Sequence, residues 1–285
     1  MNVQATSTHE ADRPQGTLTR AMQYALLALG GFVMIFPYLW MLSTSFKARG
    51  TWYNITLIPE QFSLEHYERM LSASLLPRWY LNTIIVATIA TASVAFFSSL
   101  AGFVFAKYEF RGREVMFVLI LSTIMIPTEM LIIPWYVAIA QIGWIDSLVG
   151  ILMPGMLSAF GVFVMRQFMG NIPNELLDAG RIDGVSEFGL FWRVCLPMAR
   201  PALAVVVIFT FLGHWNDFLW PLIVVNSDHM QTLQVGLSRL TTLETGADWG
   251  GTMSGAALAS IPMLIVFLFF QKHIVRGMAL SGLKG

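Results

Sequence analysis

Charge is scarce in this 285-residue chain: 12% of residues are Asp, Glu, Lys or Arg, about half the share of a soluble domain, while 56% are hydrophobic. Mean hydropathy is +0.65, and a chain so poor in charge cannot clothe a water-facing surface. Neither sign predominates: 17 basic and 17 acidic residues cancel, which removes the case for nucleic acid as a partner. The one cysteine, Cys195, excludes an intrachain disulfide and reads as a small buried residue rather than a reactive thiol. No Gly-x-x-x-x-Gly-Lys-Ser/Thr run is present, so the chain has no nucleotide-binding loop of its own. His-Glu-x-x-His and Gly-x-Ser-x-Gly are also absent, which removes the simplest membrane hydrolases. No His, Cys or carboxylate stands at ligand spacing from His214, so no metal site is expected.

What the chain has is apolar blocks at about 20–45, 81–106, 115–140, 147–168, 201–225 and 255–271. A helix needs about twenty apolar residues to cross roughly 30 Å of hydrocarbon. The blocks lack the period-two alternation of barrel strands, and unpaired backbone groups in lipid cost several kcal/mol each, so the spans should be helical. The fold class is therefore all-α, a polytopic membrane protein with six transmembrane helices. The first block is too long for a signal-peptide core and lacks a clean cleavage site, so it is expected to be retained. Residues 1–19 form a tail, 20–45 the first span, 46–80 a connecting segment, 81–276 a core with the other spans, and 277–285 a second tail. Pro127, Glu129 and Pro134 interrupt the third block, and His214, Asn216 and Asp217 the fifth, which points both helices toward protein or a cavity rather than lipid.

Basic residues near span ends set orientation. With the N-terminus inside, the inner segments hold Arg13, Arg20, Lys107, Arg111, Arg113, Arg166, Arg181, Arg193, Arg200, Lys272, Arg276 and Lys284. The outer ones hold Lys47, Arg49, Arg69, Arg78 and Arg239, and twelve against five predicts both termini inside. Outside then lie 46–80 and the loop 226–254; inside lies one long connection, 169–200.

Within that connection Pro173 suits a first helical turn, and Glu175 and Asp178 place negative charge near the N-terminal dipole. Glu175, Asp178 and Arg181 share one face; Leu176, Leu177 and Gly180 share another. Gly184 can take the left-handed conformation that ends a helix, and Ser186 can cap a second one running to Pro197. The prediction is a surface helix-turn-helix. A plain amphipathic linker on lipid headgroups is the bland alternative, but its charged face is too acidic for anionic lipid and favours a protein partner.

Asp178-Ala179-Gly180, Gly184 and Val194-Cys195-Leu196-Pro197, with three and nine residues between, resemble the "EAA" loop of bacterial ATP-binding-cassette (ABC) importer permeases. Asn82, Phe110-Arg111-Gly112-Arg113, Ala-Gly-Arg-Ile-Asp-Gly over 179–184, Trp215-Asn216-Asp217-Phe218 and Leu283-Lys284-Gly285 are similar to the carbohydrate-uptake branch, in particular to the second permease of the maltose type. That resemblance implies a type I importer permease fold in the bacterial cytoplasmic (inner) membrane. It also implies a partner permease, an extracytoplasmic solute-binding protein and two ATPase subunits, which hold the ATP and magnesium; this chain would bind no cofactor. Glu175, Asp178, Ala179, Gly180, Asp183 and Gly184 would form the coupling helix docked in an ATPase cleft. The loop 226–254 would reach the binding protein and the tail from about 276 the ATPases. Two positions depart from the pattern: Asp178 stands for Glu, which keeps the charge, and Gly180 for Ala. The second costs about 1 kcal/mol of helix propensity and would leave a smaller docking surface.

Four residues are candidates for the solute pathway. Glu129 inside a span costs roughly 2.5–3.5 kcal/mol on insertion scales, so it should face a cavity, a partner or an interfacial Arg. Asn216 and Asp217 offer acceptors for sugar hydroxyls or for neighbouring helices. Trp215, like Trp135 and Trp220, can stack on a sugar ring or anchor at the membrane interface, and interface anchoring is the simpler role. His214 reads as a packing residue. A di- or oligosaccharide is the expected solute, because phosphate calls for Arg or Lys and none lies well inside a span; glycerol phosphate or another polyol is the alternative. A membrane enzyme using Glu129 or Asp217 as acid or base, and a proton-coupled transporter, are rivals of other classes.

Overall fold

A computed structural model describes residues 17–48, 50–51, 56–72, 75–243 and 249–282. Most of the expected N-terminal tail, the five residues 244–248 of the loop 226–254, and Leu283-Lys284-Gly285 lie outside the described residues. The described chain is helical: α1 (Thr17–Ser45), α2 (Glu65–Ser72), α3 (Leu76–Lys107), α4 (Arg113–Ser122), α5 (Ile132–Ile142), α6 (Leu148–Leu152), α7 (Ala159–Gly170), α8 (Asn174–Ile182), α9 (Glu187–Leu190), α10 (Leu196–Met198), α11 (Arg200–Asn216), α12 (Leu219–Val224), α13 (Leu233–Leu243) and α14 (Trp249–Gly282).

Among the described residues three stretches are long and apolar enough to cross a bilayer unbroken: Leu18–Ser45, Leu76–Lys107 and Trp249–Phe269. Three further helix pairs, bent by 93°, 46° and 81°, bring the total to the expected six where each pair counts as one span. The third block turns by 93° between Arg113–Met125 and Thr128–Ile142. Ile126, just before Pro127, is extended (φ −87°, ψ 116°), as the proline ring requires of its predecessor. Pro134 sits in the first turn of α5, where no intrahelical N–H bond is lost, so it breaks nothing. The fourth block bends by 46° at residues 156–158. The fifth is shorter than its apolar run: α11 stops at Asn216, Asp217 is extended (φ −64°, ψ 127°), and α12 resumes at Leu219. The second span begins at Leu76 rather than 81, and the last helix begins at Trp249 rather than 255.

α3 is the central post, packed against α7 and α11. Its buried face carries Ser98, Ser99 and Gly102. Lipid tails are as apolar as leucine, so helix contact here relies on close backbone approach rather than on hydrophobic driving force. A Cβ on Gly102 would lie 2.6 Å from Met165 Cβ and 2.8 Å from the Arg166 backbone nitrogen; one on Gly161 of α7 would lie 2.4 Å from Ser98 Oγ. α1 packs along α14, where the Tyr38 hydroxyl lies 3.1 Å from Ser260 Oγ, and none of its most apolar stretch is buried within this chain.

Candidate functional site

The breaks of two bent spans and the end of α11 meet at one cavity of about 510 Å³. Thr128 and Glu129 enter from the turn after Pro127, Gly155 and Ser158 from the break before α7, and His214 and Asp217 from the end of α11. Non-helical backbone at membrane depth is tolerated where it lines a cavity. His214 sets the spacing of two of these breaks: its Nε2 lies 3.2 Å from the Gly155 carbonyl oxygen. Only glycine fits beneath it, since a Cβ at 155 would stand 2.1 Å from His214 Cε1. Trp220 is buried and donates from Nε1 to the carbonyls of Gly150 and Ile151 (3.1 and 3.2 Å). Trp135 meets its edge at 5.9 Å and keeps a partly open face on the cavity.

The four expected pathway residues do not stay together. Glu129 and Asp217 share this cavity. Trp215 is 0% exposed: Nε1 donates to the Ala259 carbonyl (3.0 Å), and the ring stacks on Phe211 and meets Tyr80 edge-on. It is a packing residue. Asn216 donates to the Leu212 carbonyl (2.9 Å) and lines a different cavity, about 450 Å³, with Gln234, Ser238 and Thr252. His214, read as a packing residue, packs on Gly155 and also lines the first cavity, and Trp135, read as an interface residue, lines it too. Their signal was the nearby Pro127 and Pro154, which mark where backbone opens.

A second feature is the helix-turn-helix after α7. α8 begins at Asn174 behind Pro173, and Lys107 at the end of α3 donates to Asn174 Oδ1 (3.0 Å) and to the Ile172 carbonyl. Gly184 has φ +77° with nothing within 4 Å of a built Cβ, so the turn needs glycine for its backbone angle and not for space. Ser186 Oγ accepts from Gly189 N–H (3.2 Å) and caps the second helix, which runs through a π turn, Phe191–Cys195, to Met198. Arg181 bonds Asp178 Oδ1 (2.7 Å) and Glu187 Oε1 (2.8 Å), and the Tyr108 hydroxyl donates to Glu187 Oε2. The Glu187 and Asp178 carboxylates hold the Arg181 guanidinium more firmly protonated than usual. Burial, then Glu187, push the Tyr108 hydroxyl up to about 12.

Two local readings change. Leu177 is buried with Leu190, Phe191 and Cys195, but Leu176 faces outward. Gly180 faces inward: a Cβ there would lie 2.5 Å from Leu190 Cδ2, so glycine brings α8 close to α9 instead of shrinking the outer surface. That outer surface carries Ile182, 87% exposed, with Leu176, Phe188 and Trp192, beside Glu175, Asp178 and Asp183.

At the other end of α3 a short loop is clamped. Asn82 Nδ2 donates to the His229 and Gln231 carbonyls (2.9 and 2.8 Å), and Trp79 Nε1 to that of Asp228 (2.7 Å). Asp146, at φ +57°, accepts from the N–H groups of Asn226 and Ser227 (3.0 and 2.8 Å) and from the Ser227 hydroxyl. These bonds, the Ser227 hydroxyl's first, hold its carboxyl below the ordinary value of 3.8.

Residues 95–280 match the family described as binding-protein-dependent transport system inner membrane component. The chain belongs to that family. The matched stretch contains the helix-turn-helix and, Val94 aside, the cavity lining of this permease, and leaves out α1. The permease is 34% identical over 277 residues to the arabinooligosaccharides transport system permease protein AraQ of Bacillus subtilis (strain 168), covering 95% of this chain and 98% of that one. It is 32% identical over 262 residues to the lactose transport system permease protein LacG of Rhizobium radiobacter, covering 90% and 94%. Its fold is shared with a bacterial ABC transporter crystal structure, one involved in import of the acidic polysaccharide alginate: TM-score 0.81, 22% identity, 90% of this chain and 96% of that one. The permease is thus a multi-pass membrane protein of all-α, ABC-importer permease fold.

Proposed function

We propose that this chain is the permease subunit of an ABC importer that carries a di- or oligosaccharide, forming an alternating-access pathway with a second permease. The convergence of two span bends and the interruption after α11 on one cavity carries this reading, because bent, unwound spans are where transporters bind solute at membrane depth. Relatives named for arabinooligosaccharide and lactose transport support a sugar. Glycerol phosphate, the other solute considered, fits less well: a phosphate ester calls for Arg or Lys, and the cavity lining has neither.

Energy enters through the helix-turn-helix. Its exposed Ile182, Leu176, Phe188 and Trp192, rimmed by Glu175, Asp178 and Asp183, suit an ATPase partner. Two such subunits bind ATP and magnesium, and their closure moves the loop; Ala179, Gly180 and Gly184 shape it. The excess of basic residues, twelve against five, supports a cytoplasmic side for this loop and both termini; the inner membrane of a bacterium is where such an importer works. The loop around 226–233, clamped by Asp146 and Asn82, then faces the solute-binding protein. This chain performs no chemistry of its own.

Proteoliposomes holding both permeases and the ATPases, supplied with binding protein and labelled oligosaccharide, test the proposal. Uptake is expected only with ATP on the ATPase side, and it persists when the proton gradient is collapsed. Turnover of a lipid-linked sugar by the purified chain alone would point to the enzyme reading instead.

A further inference from the structure

The cavity at the span breaks has a sign. Of its lining side chains, two are carboxylates, Glu129 and Asp217, and none is Lys or Arg. Neither carboxylate is in an ion pair among the described residues. The one base on the wall, His214, directs its Nε2 to the Gly155 carbonyl oxygen. Trp135, partly open, lines the same cavity, its ring nearly perpendicular to that of a Trp220 whose own N–H is spent on two backbone carbonyls. Carboxylate oxygens accept hydrogen bonds and cannot donate them, so they suit hydroxyl-rich solutes and repel anions. An aromatic face beside such acceptors is the complement of a sugar ring, whose axial C–H groups are apolar and whose hydroxyls point outward.

From this we infer that Glu129 and Asp217 are specificity-determining residues that admit neutral or amino sugars and reject uronates and sugar phosphates, with Trp135 as the stacking face. The inference rests on the transport reading above and sharpens it. It separates this chain from its fold relative, whose transporter imports an acidic polysaccharide. The two proteins share the backbone arrangement at 22% identity, which leaves the charge of the wall free to differ.

The test uses the complex of both permeases with the ATPases, purified without binding protein so that the pathway alone selects. Tryptophan fluorescence is titrated with neutral disaccharides (arabinobiose, lactose, cellobiose), with cellobiouronic acid, and with the diamine chitobiose. Wild type is expected to bind the uronate about tenfold or more weakly than the best neutral sugar, the size of like-charge repulsion across a few ångströms in a partly screened site. In the double variant Glu129→Gln, Asp217→Asn that gap closes to about threefold or less. Trp135→Ala weakens all the sugars together, while Trp135→Phe restores most of the affinity.

Equal binding of uronate and neutral sugar by wild type overturns the inference, even if the double variant fails to assemble. An unchanged gap in an assembled double variant overturns it too. In parallel, the binding-protein-supplied proteoliposomes report uptake. Import of uronate as readily as neutral sugar sinks this inference and leaves the transport reading standing, whereas import of neither sinks both.

Discussion

Arg181 and Glu187 lie 2.8 Å apart across the Gly184 turn, on two helices that share only a short connection. The same guanidinium holds Asp178, and Tyr108 reaches the far oxygen of Glu187 from the end of α3. The loop proposed to take up force is thus tied to the central post of the bundle. These groups are exposed, so the bonds matter less for stability than for keeping two helices in one orientation. Arg181→Ala should leave the complex assembled and the ATPases active, while sugar imported per ATP hydrolysed falls by about fivefold or more. Simultaneous measurement of ATP turnover and uptake in proteoliposomes checks it. Unchanged stoichiometry would mean that the loop keeps its shape without this pair.

Gly184 should respond to backbone geometry alone. Nothing lies within 4 Å of a built Cβ, yet φ is +77°. A β-branched residue there costs about 1–2 kcal/mol from its own backbone, whereas Asn visits this region more easily. Gly184→Val is therefore expected to abolish or uncouple transport in an assembled complex, and Gly184→Asn to retain most of it. A Val variant that transports normally would detach this turn from coupling.

How much of this was legible beforehand differs by feature. Six apolar blocks and the helix-turn-helix were readable because each is local: span length, Pro173, Gly184 and the Ser186 cap act within a few residues. The cavity was only half readable. Trp215, Asn216 and Asp217 are consecutive, yet one packs in the core, one lines a second cavity and one lines the first. α11 ends at Asn216, so helical periodicity stops predicting faces there. Leu176 and Leu177 were grouped for a similar reason; neighbouring positions differ by about 100°, and which one turns inward is settled by the Gly180 contact with Leu190.

Acid should loosen the clamped loop near Asn226. Asp146 has a depressed carboxyl pKa because it accepts bonds from Ser227 and Asn226. A depressed acid contributes stability that is present above its unfolded value, here the ordinary 3.8, and is lost as pH falls through the folded one. Amide exchange of Asn226 and Ser227, corrected for intrinsic rates, should therefore be constant from pH 7 to about 5 and rise below about 4. Asp146→Asn should show the faster exchange already at pH 7. A profile with the same midpoint in that variant would assign the transition to another group.

Two glycines make opposite predictions about rescue. At Gly155 the obstacle is a side chain: a Cβ would meet His214 Cε1 at 2.1 Å. Gly155→Ala should destabilise the purified complex by about 1–3 kcal/mol through overpacking, and His214→Ala should restore most of it in the double variant. His214→Ala alone removes one hydrogen bond to the Gly155 carbonyl, about 1 kcal/mol. At Gly102 the obstacle includes backbone, the Arg166 nitrogen at 2.8 Å, which no side-chain truncation can move. Gly102→Ala should be as damaging, and Met165→Ala should fail to rescue it, because α3 and α7 must still separate. Thermal unfolding of the five variants in detergent decides the matter. Rescue at both sites would show that α3 and α7 have more room to shift than their backbone contact implies, and rescue at neither would remove His214 as the spacer between the two breaks.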